Sequence, residues 1–284
     1  MAKKSKKGGS GSGVSFNWVL IIVGFILGFA AAFAVLKYGV MAPEAPVVVE
    51  PVKKAEPPEE VTPPLARVAI LIDDMGGNLG KLREILSLDS PITISILPHL
   101  EHSREVSRIA AMSGREVLLH LPMEPKNRNA NHPGPGVLLT EMAGPLIRKT
   151  VLEDLEFVPD AVGVNNHMGS RFTEDKAAMR SVFTVLLERG LFFVDSRTTP
   201  ASIGAVLASE TGIRHGERDV FLDNERDLLY IDGQISTLVN TARKRGAAIG
   251  IGHPYPETLT ALGKMIPILK AEGIEVVPVS ELVR

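Results

Sequence analysis

The stretch RVAILIDDMGG, residues 67–77, is an apolar run that ends in two adjacent aspartates and two glycines. A short run rich in Val, Ile and Leu is typical of a strand that is covered on both faces, as in a parallel sheet. Further runs of this kind follow at 93–99, 116–122, 161–166, 191–196, 219–223, 247–253 and 275–280. Segments with the apolar spacing of helices separate them, at 81–88, 103–113, 144–157, 175–189, 236–244 and 258–271. This alternation predicts an α/β fold, a distorted (β/α) barrel of about seven or eight parallel strands, with an open doubly wound sheet as the alternative.

The composition limits the classes of protein to which the chain can belong. It has 284 residues, no cysteine and a formal net charge of -2. Without cysteine there are no disulfides, no Cys-ligated zinc and no thiol nucleophile. A near-neutral charge gives no overall attraction for nucleic acid, so we expect no nucleic-acid partner. The length allows a folded domain with a sizeable core, which the strand and helix patterns place over 66–284.

An uncharged apolar run, WVLIIVGFILGFAAAFAVL at residues 18–36, follows an N-terminal tail that contains four lysines. A run of this length can span a bilayer, and a lysine-rich flank stays on the cytoplasmic side. The sequence therefore predicts a cytoplasmic tail over 1–15 and a transmembrane anchor over 16–39, with a cleaved signal peptide as the alternative. The Pro-rich segment 40–65 predicts a semi-rigid linker. A single-pass protein of the inner membrane, with its domain facing the periplasm or the cell exterior, is the resulting expectation.

Polar side chains end the predicted strands. The carboxyl ends of all strands in a parallel barrel face one rim, so these side chains would meet at a single mouth. The residues at these positions are Asp73, Asp74, His99, His120, Asn165, Asn166, His167, Asp195, Asp223 and His253. We therefore expect the chemistry of the protein to lie at this mouth.

The adjacent Asp73 and Asp74 are followed by glycines that allow a turn, which would bring both carboxylates to one site. One carboxylate would then bind a metal while the other acts as a base on water, or the pair would simply cap the next helix. His120 and His167 are candidate metal ligands together with Asp74, or they are core histidines. Two imidazoles and one carboxylate leave an open position on zinc or a similar divalent ion.

His253 is a candidate general acid, because an imidazole with a pKa near 6.5 donates a proton around neutral pH. The alternative is that it buttresses the helix that follows. Arg171 and Arg197 are candidates for holding Asp73 ionised or for binding an oxyanion, or they form salt bridges at the rim.

Three further polar residues near the mouth are candidates for binding substrate. Glu124 stands four residues after His120 and could be a ligand or the partner of a ligand. Asp195 would orient His253 or contact substrate. Asn166 lies in a strand exit that is unusually polar.

Five motifs in this order resemble the divergent polysaccharide deacetylase family: VAILIDDMG (68–76), LLHLPMEP (118–125), VNNHMGSRFT (164–173), FFVDSRTT (192–199) and IGIGHPYPET (249–258). The resemblance covers essentially all of 66–284. It implies a distorted (β/α) barrel and the removal of acetyl groups from sugars with a divalent metal. It also implies that Asp73 is the catalytic base, Asp74 the metal-binding aspartate and His253 the general acid.

The chain departs from the broader polysaccharide deacetylases in its middle. Those proteins take both metal histidines from one H-x-x-x-H segment, whereas here Glu124 stands at that spacing from His120 and the next histidine is His167. The Arg-Pro-Tyr motif of the broader group is absent in that form, although a Pro-Tyr pair follows His253. The best assignment of the metal ligands is therefore Asp74, His120 and His167.

The sequence thus predicts a membrane-anchored hydrolase that uses a divalent metal, with zinc as the expected ion, to remove acetyl groups from a glycan of the cell envelope. The alternative is a non-catalytic envelope module that binds glycan or a protein partner through the same mouth.

Overall fold

The computed structural model describes residues 66–284, together with Lys37 and Gly39. Apart from those two residues, the predicted tail, anchor and linker lie outside the described part of the chain. Among the described residues, no helix has both the length and the apolar character needed to cross a membrane.

The described residues from 66 onward form a single sheet whose strands all pair in parallel. The strands are β1 (Ala66–Met75), β2 (Thr93–Ile96), β3 (Val117–Met123), β4 (Gly163–Met168), β5 (Phe192–Asp195), β6 (His215–Glu217), β7 (Val220–Phe221), β8 (Ala247–Gly252) and β9 (Ile274–Val277). Their order across the sheet is β6-β5-β4-β3-β2-β1-β8-β7, and β9 adds to the first residues of β1. The predicted parallel α/β architecture is confirmed.

The two edges of the curled sheet are joined by the chain itself. Edge strand β6 pairs with β5, and edge strand β7 pairs with β8. The backbone N–H of Arg218 donates to Asp195 O at 2.9 Å, whereas that of Asp219 donates to Ile249 O at 2.9 Å. The chain therefore steps from one edge to the other between Arg218 and Asp219, and we call these two residues the seam. A closed barrel would join its two edge strands by a ladder of hydrogen bonds. Here the covalent chain makes the connection between β6 and β7.

Helices on the outside of the sheet connect the strands. They are α1 (Leu79–Leu86), α2 (Ser103–Met112), α3 (Gly144–Phe157), α4 (Lys176–Arg189), α5 (Gly204–Thr211), α6 (Leu228–Arg245) and α7 (Pro256–Ala271). Side-chain caps fix several starts; for example, Asp175 Oδ1 accepts from the N–H groups of Ala177 and Ala178 at the start of α4. The predicted bounds of α3 are confirmed, whereas α6 begins at 228 instead of 236, and α5 and β6 were not predicted.

Two apolar layers lie on the two faces of the sheet. Val68 and Ile70 of β1 pack toward the helices, whereas the alternate residues Ala69 and Leu71 face the concave interior. The C-terminal segment enters this interior, where Val279 and Val283 join the inner layer. This segment also bonds to the amino ends of the strands, because His215 and Arg284 exchange backbone hydrogen bonds of 2.9 and 3.0 Å. One end of the curled sheet is thus closed, and the opposite, carboxyl end is left for the polar residues.

Candidate metal centre

The two aspartates at the end of β1 both reach the interior of the mouth. Asp73 is buried, and Asp74 has a φ of 56°, a left-handed conformation that few non-glycine residues adopt. The pairing of β1 with β2 is irregular at the same place, between Ile72 and Met75. The turn that the sequence assigned to the following glycines therefore begins at Asp74 itself. It places Asp73 Oδ2 at 3.5 Å and Asp74 Oδ1 at 3.3 Å from the same nitrogen, Nε2 of His120.

Three ligand atoms form a nearly equilateral triangle. Asp74 Oδ1 lies 3.3 Å from His120 Nε2 and 3.1 Å from His167 Nδ1, and the two imidazole nitrogens are 3.0 Å apart. These spacings are close to those that a tetrahedral ion with bonds of about 2.0–2.1 Å imposes on its ligands, roughly 3.3 Å. Asp74 Oδ1 is buried and makes no well-formed hydrogen bond. The three residues, which we call the Asp–His–His cluster, therefore fit a divalent ion, as the sequence predicted for this set.

The charges of the cluster favour a cation. Burial favours the neutral imidazole of His167 and lowers its pKa. Burial acts in the same sense on His120, but the carboxylates of Asp73 and Asp74 outweigh it and raise the pKa of that imidazole. Burial would raise the pKa of Asp74, yet the two imidazoles hold it well below its usual range. A cation bound at these atoms would compete with a proton on His120.

His253 stands beside the cluster and is held by a buried carboxylate. Its Nε2 lies 3.7 Å from Asp74 Oδ2, and its Nδ1 lies 2.9 Å from Oδ1 of Asp223. Asp223 is itself fixed, because its Oδ2 accepts from the N–H of His253 at 2.6 Å and from Thr258 Oγ1 at 2.7 Å. Burial disfavours the imidazolium, but the bond to Asp223 outweighs it and raises the pKa of His253. The bond to Asp223 thus orients the ring so that Nε2 faces the cluster.

Asp195, which the sequence offered as the residue orienting His253, has other partners. Its Oδ1 accepts from the N–H of Arg197 at 2.8 Å, and its Oδ2 accepts from Ser202 Oγ at 2.6 Å. The prediction that Asp195 orients His253 is therefore wrong, and Asp223 holds this imidazole instead. The strand-end pattern already included Asp223, but periodicity alone does not tell which strand-end carboxylate faces which histidine.

Arg171 does not reach Asp73, contrary to one of the roles expected for it. Its Nη1 lies 3.6 Å from Glu124 Oε1, and its side chain is 57% exposed. Glu124 is buried, and its Oε2 accepts from the N–H and the Oγ1 of Thr140 at 2.7 and 2.8 Å. Glu124 and Arg171 therefore tie together two loops at the rim, and neither bonds to the Asp–His–His cluster.

Asn166 and Arg197, the remaining predicted site residues, also stabilise loops in this structure. Asn166 Nδ2 donates to Met168 O at 2.8 Å, and its Oδ1 accepts from the N–H of Ser196 at 2.8 Å. Arg197 pairs with Glu217, with Nη1 and Oε1 3.3 Å apart. Both residues shape the wall of the mouth without contacting the cluster.

A family comparison decides what kind of protein has this site. The model of the divergent polysaccharide deacetylase family matches residues 70–283. The chain belongs to the divergent polysaccharide deacetylase family. An uncharacterised Haemophilus influenzae protein is 36% identical over 197 residues, which cover 69% of this chain and 70% of that protein.

Solved structures show the same fold. An uncharacterised protein of Agrobacterium tumefaciens is similar with a TM-score of 0.75 and 27% identity, over 80% of this chain and 92% of the other. A CE4 family pseudoenzyme from Bacillus anthracis is similar with a TM-score of 0.50 and 15% identity, over 76% and 65% of the two chains. The second likeness concerns the fold alone, so the function of this family member must be argued from its own residues.

In this member of the divergent polysaccharide deacetylase family, the cluster is assembled from three separate strands. Asp74 lies on β1, His120 on β3 and His167 on β4. In the register of β3 with β4, His120 stands opposite Asn165, and His167 is two residues further along. The two imidazoles therefore come from two neighbouring strands, whereas the broader group takes them from one H-x-x-x-H segment.

Proposed function

We propose that this protein is a metal-dependent hydrolase that removes acetyl groups from an acetylated glycan of the cell envelope, with zinc as the metal. The observation that carries the proposal is the Asp–His–His cluster with a second carboxylate and a third imidazole at its side. Two imidazoles and one carboxylate are donors that suit zinc and leave a position open for chemistry. Membership of the family supports acetylated sugars as the substrate class.

Asp74, His120 and His167 would hold the ion. A bound divalent ion supplies Lewis acidity toward the acetyl carbonyl and lowers the pKa of water at the site. Asp73 provides a base next to this position, because its Oδ2 lies 3.5 Å from His120 Nε2 without replacing Asp74 as a ligand. Burial raises the pKa of the Asp73 carboxyl, which makes it a better proton acceptor than an ordinary aspartate.

Each proton transfer of the reaction can be assigned to a residue of this chain. Asp73 takes a proton from the water that attacks the acetyl carbon. His253 donates a proton from Nε2 to the departing nitrogen or oxygen as its bond to the acetyl carbon breaks. The products are acetate and a free amine or hydroxyl on the sugar. The hydrogen bond from His253 Nδ1 to Asp223 keeps the ring oriented for this transfer.

We further propose that the domain faces the periplasm or the cell exterior from an anchor in the inner membrane. The support for this is the uncharged run at 18–36 behind a lysine-rich tail. Acetylated envelope glycans lie on that side of the membrane, so the location agrees with the proposed substrate.

Metal analysis combined with an acetate assay tests the proposal. The full-length protein, purified in detergent, is expected to contain one zinc per chain and to release acetate from at least one member of a panel of acetylated glycans. Metal without acetate from any glycan would favour the non-catalytic binding module instead. A protein that takes up no divalent metal would contradict the proposed function altogether.

A further inference from the structure

Asn165 lies between His120 of the Asp–His–His cluster and Asp73, the proposed base. It belongs to β4, and its side chain is fully buried. We propose that Asn165 is a positioning residue that fixes the tautomer of the metal ligand His120 and, through the same amide, holds Asp73 apart as the base. The inference rests on the proposed function, because it concerns how the metal ligand and the base of that site are kept distinct.

The amide of Asn165 has hydrogen-bond partners on both of its atoms. Oδ1 accepts from Ser95 Oγ and lies 3.1 Å from Nδ1 of His120. Nδ2 donates to Asp73 Oδ1 at 2.9 Å and to Ser196 Oγ at 3.1 Å. A primary amide has two donor hydrogens and two acceptor lone pairs, so these four contacts use its full capacity. A buried network of this kind holds each member in a single orientation.

The orientation of the amide follows from Asp73. Exchanging the oxygen and nitrogen of Asn165 would place the amide oxygen 2.9 Å from the carboxylate oxygen of Asp73, an acceptor against an acceptor. Oδ1 therefore faces His120, and Nδ1 of that imidazole must carry the hydrogen. The lone pair of a neutral His120 is then on Nε2, the nitrogen that stands 3.3 Å from Asp74 Oδ1.

The same amide separates the roles of the two adjacent aspartates. It occupies Oδ1 of Asp73 and leaves Oδ2 of that carboxylate near the cluster. Asp74 has no such partner, and its buried Oδ1 makes no well-formed hydrogen bond. Asn165 thus keeps Asp73 as a hydrogen-bonded base, whereas Asp74 remains available as the ligand.

Replacing the amide by an apolar side chain of similar size tests the inference. In full-length Asn165→Leu, zinc affinity measured by competition with a chelator is expected to fall about 10–100-fold, as is typical when the partner of a ligating histidine is removed. Thr93→Val is the matched control, because Thr93 is also a buried strand residue with side-chain bonds, to Glu116 and to the N–H of Val279, at the opposite end of the sheet. The control should bind zinc like the wild type.

A second measurement does not depend on the variant being folded. Nitrogen-15 NMR of histidine in the metal-free wild-type protein, at a pH where His120 is neutral, is expected to show its hydrogen on Nδ1. Hydrogen on Nε2, or an Asn165→Leu protein that is folded and binds zinc with wild-type affinity, would overturn the inference. If the wild type binds no zinc at all, the proposed function fails, and the NMR result still decides the role of Asn165.

Discussion

Asp74 Oδ1 lies 3.1 Å from His167 Nδ1, although Asp74 is on β1 and His167 on β4, with β2 and β3 between them in the sheet. Neighbouring strands are about 4.8 Å apart, so three steps across a flat sheet would separate these positions by roughly 14 Å. The curl of the sheet closes this distance. Because the ligands converge only in the folded chain, a bound ion would also stabilise the fold.

The two adjacent aspartates are expected to respond differently to mutation. Asp74→Ala would remove one of the three proposed ligands and should abolish metal binding, whereas Asp73→Asn should keep the metal and lose about 10²–10⁴-fold in turnover, because an amide cannot accept the proton. Metal content by elemental analysis and acetate release measure the two effects. Wild-type metal content and activity in both variants would refute the assignment.

Metal affinity should depend on pH. The carboxylates of Asp73 and Asp74 raise the pKa of His120 against the effect of burial, so a proton competes with the ion for Nε2 of this residue. Below that pKa, zinc affinity is expected to fall about tenfold per pH unit, since one proton must leave for each ion bound. Chelator competition between pH 5 and pH 8 measures the slope. An affinity that does not change with pH would contradict the predicted competition.

Asp223 should set the alkaline limit of activity. Burial lowers and the Asp223 carboxylate raises the pKa of His253, and the raised value keeps the proposed general acid protonated to higher pH. Asp223→Asn removes the charge, so the alkaline limb of kcat/KM should move to lower pH by about one unit or more. The loss of activity is then larger at pH 8 than at pH 6. An unchanged limb would mean that another group is the acid.

A buried aspartate and a partly exposed histidine away from the cluster should make the stability of the protein depend on pH. Asp154 Oδ1 lies 2.7 Å from His99 Nε2, and burial raises the pKa of Asp154 to about 8. The carboxyl of an unfolded chain titrates near 3.9, so the native state holds the extra proton between these values and loses stability as pH rises through them. From pH 6 to pH 8 the wild type should lose about 2 kcal/mol more than Asp154→Asn, which has no proton to lose.

Urea denaturation at the two pH values measures this difference. The amide of Asp154→Asn can still donate to His99, so the variant should fold and have the smaller pH dependence. The same pH dependence in both proteins would show that the Asp154 carboxyl is not protonated in the native state.

The C-terminal segment should be essential for stability. Val283 lies in the apolar interior of the sheet, near Ile249 and Gly216. Val283→Asp buries a charge there and should lower the free energy of unfolding by about 3 kcal/mol or more, seen as a lower Tm. Val206→Asp on α5, where the side chain is 63% exposed, is the matched control and should melt like the wild type. Equal melting of the two variants would contradict the packing described for Val283.

Much of the fold could be predicted because buried parallel strands are continuous apolar runs. The elements that were not predicted share a physical cause, which is the lack of a clear apolar pattern. β6 reads His-Gly-Glu and lies at an edge, so it has no apolar run to detect. α5 has eight residues and its apolar side chains include the exposed Val206, which blurs the helical period. The start of α6 was missed because its first turns contain Gly233 and an 80% exposed Leu229.

The site was predictable to the extent that strand ends share one rim. This rule brought Asp74, His120 and His167 together correctly. It could not place Arg171, because a loop side chain is positioned by a partner distant in sequence, here Glu124 at the exit of another strand. The network of Asn165 was missed for the same reason, since its four partners come from three other strands and from the loop after β5.

The seam at Arg218 and Asp219 has a mechanical consequence. Elsewhere around the rim, widening the opening would break a row of interstrand hydrogen bonds. At the seam the two edges are joined by the chain and by Arg218, whose Nε donates to Ser196 O at 2.7 Å and whose guanidinium lies 4.8 Å from the Phe221 ring of β7, on the side where His253 stands. Because a few side-chain contacts replace an interstrand ladder there, we expect the amide hydrogens of β6 and β7 to exchange with solvent sooner than those of the central strands.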